Sequence, residues 1–69
     1  MENMTLVING ESRTLPSVSN VRELLTLLGI GENHVAVEVN RKIIRRREWD
    51  QTRLSNLDRV EIVQFVGGG

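Results

Sequence analysis

The chain has 69 residues, with nine Lys and Arg against nine Asp and Glu, no Cys, one Pro and two aromatics, Trp49 and Phe65. A chain this short is one domain with a small core. It lacks disulfides and Cys-based zinc sites, and its balanced charge argues against a general nucleic-acid binder. No apolar run approaches the ~20 residues of a membrane span, and the N-terminus lacks the basic-then-apolar order of a signal peptide, so a soluble cytoplasmic protein with no membrane partner is expected.

The first segment, Met4-Thr5-Leu6-Val7-Ile8, alternates and is rich in β-formers, which puts Met4, Leu6 and Ile8 on one face of a strand. Asn9-Gly10 follows and tolerates the positive φ angles of a tight hairpin turn, so a second strand returns through Ser12 to Leu15. Pro16 has no N–H to donate and stops that ladder. Asn20 is placed as a helix N-cap, with Glu23 three residues on as in a capping box. Val21, Leu24, Leu25 and Leu28 then form one apolar helix face, and Gly29 supplies the stop.

Val35, Val37 and Val39 alternate with Ala36 and Glu38 as a third strand. Asn40-Arg41 reads as a turn into a short fourth strand, Lys42-Ile43-Ile44. Arg45 to Leu57 is polar and irregular, with Trp49 and Leu54 as inward anchors. The last strand runs from about Val60 to Phe65. Val60 and Ile62 face the core, and Glu61, Val63 and Phe65 the opposite side. One helix packed on a small mixed sheet is an α+β layout.

The residues offer little for intrinsic catalysis. There is no Cys nucleophile, no glycine-rich phosphate loop and no pair of His at metal spacing. His34 stands alone in a Gly-Glu-Asn-His loop and reads as a solvated histidine. A chain of this size is not expected to form a pocket of ~300 Å³.

Two features remain. Arg41, Lys42, Arg45, Arg46 and Arg47 put five cations within seven residues: a solvated face, a dock for an acidic partner, or a nucleic-acid contact that has only Trp49 nearby for stacking. The second is the apolar run Val60 to Val66 leading into Gly67-Gly68-Gly69. Such glycines serve either as a flexible tail without chemistry or as a thin arm, about 10 Å long at full extension, that threads a narrow channel. What the arm delivers is a terminal carboxylate, which becomes electrophilic once joined to a leaving group such as AMP and is then open to attack by sulfur.

The chain resembles the ThiS family, the sulfur-carrier proteins of thiamine biosynthesis, along essentially its whole length. The resemblance rests on the early Asn9-Gly10 turn, Asn20-Val21-Arg22-Glu23-Leu24-Leu25 and Val35-Ala36-Val37-Glu38-Val39-Asn40. It continues through Arg46-Arg47-Glu48-Trp49 and the closing Asp58-Arg59-Val60-Glu61-Ile62-Val63-Gln64-Phe65-Val66-Gly67-Gly68-Gly69. It implies a ubiquitin-like β-grasp domain over residues 1–66, with 67–69 as a flexible glycine tail and the last strand beside the first in mid-sheet. It also implies a carrier rather than an enzyme, with no catalytic residue, metal or bound cofactor of its own.

In that reading an E1-like adenylating enzyme uses ATP to activate the carboxylate of Gly69. A cysteine desulfurase route supplies the sulfur that makes it a thiocarboxylate, and thiazole synthase takes the sulfur; nucleic acid is not a partner. Val66, Gly67 and Gly68 enter the partner's active site, while Val63, Phe65, Arg41, Arg45 and Arg46 form the docking surface, with the basic run on a strand and loop neighbouring the last strand. Alternative identities are the small subunit of molybdopterin synthase and a ubiquitin-like interaction module without tail chemistry. Two departures from the family touch turns. Arg45 stands where Pro is frequent, and Leu57 stands where Asp-Gly-Asp is common, which suggests a turn without positive φ.

Overall fold

The computed structural model describes residues 2–65. Strand β1 (Asn3–Ile8) and strand β2 (Glu11–Pro16) form an antiparallel hairpin in which Ile8 pairs with Glu11 and Asn3 with Pro16. The two-residue turn between them holds Asn9 at φ 51 and Gly10 at φ 81, the doubly positive turn whose twist matches that of the flanking strands. Pro16 ends β2, although the Ser17 N–H still donates to the Glu2 carbonyl at 3.2 Å.

Helix α1 (Val21–Leu27) begins where Asn20 adopts an extended conformation and its Oδ1 accepts the Glu23 N–H at 2.9 Å. Glu23 reaches back one residue further than a capping box requires and takes the Ser19 N–H at 2.7 Å. At the other end Gly29 has φ 73. Its N–H donates to the Thr26 carbonyl and the Ile30 N–H to the Leu25 carbonyl, a paired closure that satisfies two terminal carbonyls.

Strand β3 (Val35–Val39) and strand β4 (Lys42–Ile44) form the second hairpin. Its turn residues, Asn40 at φ 50 and Arg41 at φ 72, repeat the geometry of the first turn. The polar stretch after β4 is not wholly irregular: Arg46–Glu48 make one 3₁₀ turn, and Asn20 and Arg53 form a β-bridge. Strand β5 (Arg59–Gln64) begins and ends one residue earlier than its hydrophobic pattern suggests.

The five strands lie in the order β2-β1-β5-β3-β4. Strand β5 is parallel to β1 and antiparallel to β3, so it occupies the centre, as a ubiquitin-like β-grasp fold requires. The helix covers one face. Met4, Leu6, Ile8, Val37, Val39, Val60 and Ile62 meet Val21, Leu24 and Leu25 there, and all are buried. Leu28 is only half-buried at the margin. Trp49, 1% exposed, plugs the end of this core, and its indole N–H donates to the Ile44 carbonyl at 3.2 Å. Leu54 is buried in the same core.

The structure corrects the expectation for Leu57, whose φ is 72. Its N–H is held by the Thr5 carbonyl at 2.6 Å. The neighbouring turn is locked by Ser55 N–H to Asp58 Oδ2 and Asp58 N–H to the Ser55 carbonyl. A tertiary bond to β1, rather than the residue's own preference, imposes the left-handed conformation. Arg45 tells a different story. Its φ of −73 would suit Pro, but its N–H donates to Glu48 Oε1 at 3.0 Å, a bond that Pro could not make.

Candidate functional site

The sheet has one face without a helix, and β5 runs down its middle. Alternation puts Val63 and Phe65 on that side, where they are 52% and 56% exposed. Register extends the patch beyond what the sequence pattern suggested. Ala36 lies directly opposite Val63, and Ile43 of β4, 70% exposed, lies opposite Glu38 on the same face. Ile43 went unrecognised in the sequence, although the Asn40-Arg41 turn carries the signal: a two-residue turn pairs Val39 with Lys42 and hence Glu38 with Ile43.

Glu38 and Glu61 are themselves directly opposed on this face. Like charges in that position repel, and neither has a salt bridge among the described residues. The open face is therefore an apolar strip crossed by a pair of carboxylates.

The basic cluster lies elsewhere. Strand β4 is the sheet edge and β3 separates it from β5, so the run Arg41 to Arg47 does not neighbour the last strand directly. Arg41 is exposed in the β3–β4 turn and Arg45 follows β4. Arg46 is already engaged: its Nη2 contacts Glu32 Oε1 at 2.8 Å. The same carboxylate takes Arg22 Nη1 at 2.8 Å, and Arg22 Nε donates to Asp50 Oδ1 at 2.5 Å. The Arg22 guanidinium lies over the Trp49 ring, 5.6 Å from its centroid. Hydrogen bonds from Arg22, then from Arg46, hold the Glu32 carboxyl below its ordinary range, and those to Glu32 and Asp50 raise Arg22. This network clips the 3₁₀ segment and the loop after α1 to the helix.

His34 is exposed at φ 61, and its carbonyl accepts the Phe65 N–H at 2.7 Å. Its role in the fold is thus to pin the end of β5. The residues do form clefts of the size thought out of reach: one of about 530 Å³ beside α1, lined by Pro16, Val18, Arg22 and Leu27 among others, and one of about 320 Å³ near the end of β5. The charged groups around the larger cleft are committed to the Arg22 network and to the helix cap. Val66, Gly67, Gly68 and Gly69 lie outside the described residues.

Residues 6–69 match the ThiS family. The chain is 32% identical over 65 residues to the sulfur carrier protein ThiS of Bacillus subtilis, covering 93% of this chain and 98% of that protein. It is 42% identical over 66 residues to a thiazole synthase of Paramagnetospirillum magneticum, covering 96% of this chain but spanning only 20% of that protein's length. The solved structure of thiamine biosynthesis protein ThiS from Geobacter metallireducens superposes with a TM-score of 0.80 at 36% identity, covering 96% of this chain and all of that one. With its β5-centred sheet, capped helix and closing glycines, this chain belongs to the ThiS family, the sulfur carriers of thiamine biosynthesis.

Proposed function

We propose that the carboxylate of Gly69 carries the sulfur, and that this chain is a co-substrate of its partners. An E1-like enzyme activates the carboxylate with ATP: the carboxylate oxygen attacks the α-phosphorus, pyrophosphate leaves, and an acyl-adenylate forms. A persulfide supplied through a cysteine desulfurase route attacks the acyl carbon with its outer sulfur and displaces AMP, giving an acyl disulfide. A second thiol then cleaves its S–S bond, leaving as a disulfide with the carrier of the persulfide and releasing the thiocarboxylate, which thiazole synthase consumes. The observation that carries this reading is the placement of β5. It is held by β1 at its start and by β3 through to Gln64, and the sequence continues from it into Gly67-Gly68-Gly69. A rigid central strand fixes the origin of an arm whose last three residues have no Cβ to crowd a narrow channel. Similarity to a segment of a thiazole synthase supports that enzyme, over a molybdopterin-forming one, as the sulfur acceptor.

Docking falls to the open face around Val63 and Phe65, extended by Ile43 and Ala36, with Arg41 and Arg45 at the sheet's far edge steering an acidic partner. Arg46 contributes less, since Glu32 already neutralises it.

Mass spectrometry of the protein incubated with ATP, the adenylating enzyme and a sulfur source tests the chemistry. The expected result is the mass gain of one oxygen replaced by sulfur at Gly69. Deleting Gly69 abolishes that gain and leaves thermal unfolding unchanged, since the residue lies beyond the core strands. Sulfur loading that survives the deletion rejects the assignment of Gly69.

A further inference from the structure

Strand β5 outruns its parallel neighbour. The β1–β5 register pairs Val7 with Arg59 and Ile8 with Val60 and ends there, because β1 turns away through Asn9 and Gly10. Successive residues of a strand direct their peptide groups to opposite edges. Phe65 points its N–H at β3, where the His34 carbonyl accepts it. Residues 60, 62 and 64 point theirs the other way.

Along that edge the partners change one by one. The Val60 carbonyl accepts the Asn9 backbone N–H at 2.9 Å. At Ile62 no strand remains, and the Asn9 side chain substitutes for one: its Oδ1 accepts the Ile62 N–H at 2.7 Å and its Nδ2 donates to the Ile62 carbonyl at 3.2 Å. Gln64 is next in the series, and among the described residues nothing from that side bonds its backbone. An unpaired strand edge is a template for another extended chain.

The edge also borders the cleft of about 320 Å³, where Leu27, Leu28, Ile30 and Ile62 supply apolar surface and Arg13 stands with Gln64. Leu27 is 44% exposed, and Arg13 is exposed without a salt bridge among the described residues.

We propose that this edge is a strand-addition site for an extended segment of thiazole synthase, bringing an apolar side chain into the cleft and an acidic one to Arg13. The inference rests on the carrier function proposed above and names a second contact for the same partner. Three features select this occupant. The Gln64 peptide groups are matched by another backbone, as the Asn9 amide shows one position earlier. The free guanidinium of Arg13 calls for a carboxylate. The pairing also continues the very strand that aims the tail, so the added chain fixes the tail's direction at its root. This edge and the open face lie on different sides of β5, so one partner can engage both.

Amide hydrogen exchange on the wild-type chain, free and saturated with purified thiazole synthase, is the test, together with the affinity of Arg13→Glu. The Gln64 amide exchanges freely in the unbound chain and slows by about tenfold or more in the complex, while the Phe65 amide, already bonded to His34, changes little. Arg13→Glu weakens binding by about tenfold or more with its melting temperature unchanged, because the side chain is exposed. If wild type binds but the Gln64 amide keeps its free rate, or if Arg13→Glu binds as wild type does, the strand-addition site is refuted and the carrier function stands. Absence of any binding to thiazole synthase overturns both. Protection of Gln64 in the unbound chain, accompanied by dimers in sedimentation, assigns the edge to a second copy and overturns the proposal.

Discussion

Replacing Phe65 with Ser separates a docking anchor from a core residue. Phe65 is 56% exposed, so less than half of the ~1.5–3 kcal/mol that full burial of a Phe is worth can be lost. The expected destabilisation is therefore about 1 kcal/mol or less, well below the ~3–5 kcal/mol of a buried aromatic truncation. Binding should respond oppositely. If Phe65 fills a partner pocket as a hot spot, the variant loses about 2 kcal/mol or more of binding free energy, roughly a thirtyfold rise in Kd.

Urea unfolding gives the first quantity. Calorimetric titration against the adenylating enzyme and against thiazole synthase gives the second. Ile43→Ser, on the same face and 70% exposed, should follow the same pattern with a smaller binding loss. Val60→Ala is the converse control. Val60 is fully buried between helix and sheet, so stability falls by about 2 kcal/mol while the folded fraction still binds. A Phe65→Ser chain that unfolds more easily by about 3 kcal/mol and binds both partners at full strength refutes the open-face docking surface.

Two further outcomes concern stability. Leu57→Gly should raise stability by about 0.5–1 kcal/mol, seen as a higher urea midpoint, because it removes ~1–2 kcal/mol of left-handed strain at φ 72 for ~0.5–1 kcal/mol of added chain entropy, and Leu57 is 64% exposed. An unchanged or lower midpoint would show that the Thr5 bond leaves no strain there. Glu32, held below its ordinary pKa of 4.5 by Arg22 and Arg46, contributes stability that is fully present above that value and is lost as pH falls through the depressed one. Acid titration of unfolding should therefore show a shallow loss below pH 4.5 that Glu32→Gln flattens and that salt weakens, the group being exposed; identical acid profiles for the two chains would contradict this.

Several elements were legible in the sequence because their causes are local. Asn20 and Gly29 bound the helix through bonds to residues within one turn, and Asn9-Gly10 and Asn40-Arg41 specify their turns by tolerating positive φ. Strand alternation correctly divided Met4, Leu6, Ile8, Val60 and Ile62 from Val63 and Phe65. The glycine run, with the family resemblance, is what directs the proposed chemistry to Gly69.

Other features were settled only when distant segments met. Nothing near Leu57 calls for φ 72; the Thr5 carbonyl, far away in sequence, imposes it. Ile43 joins the face of Val63 only through the register of β3 against both β4 and β5. That Asn9 also clamps the Ile62 backbone, and that Gln64 is left with an open edge, follows from the register of β5 against β1, which ends at Ile8 opposite Val60. Turn and cap preferences act over a few covalent bonds and are written in the local residues. Register between strands far apart in the chain is set by burying Leu6, Val37 and Val60 together under one short helix, and no stretch of sequence contains that condition alone.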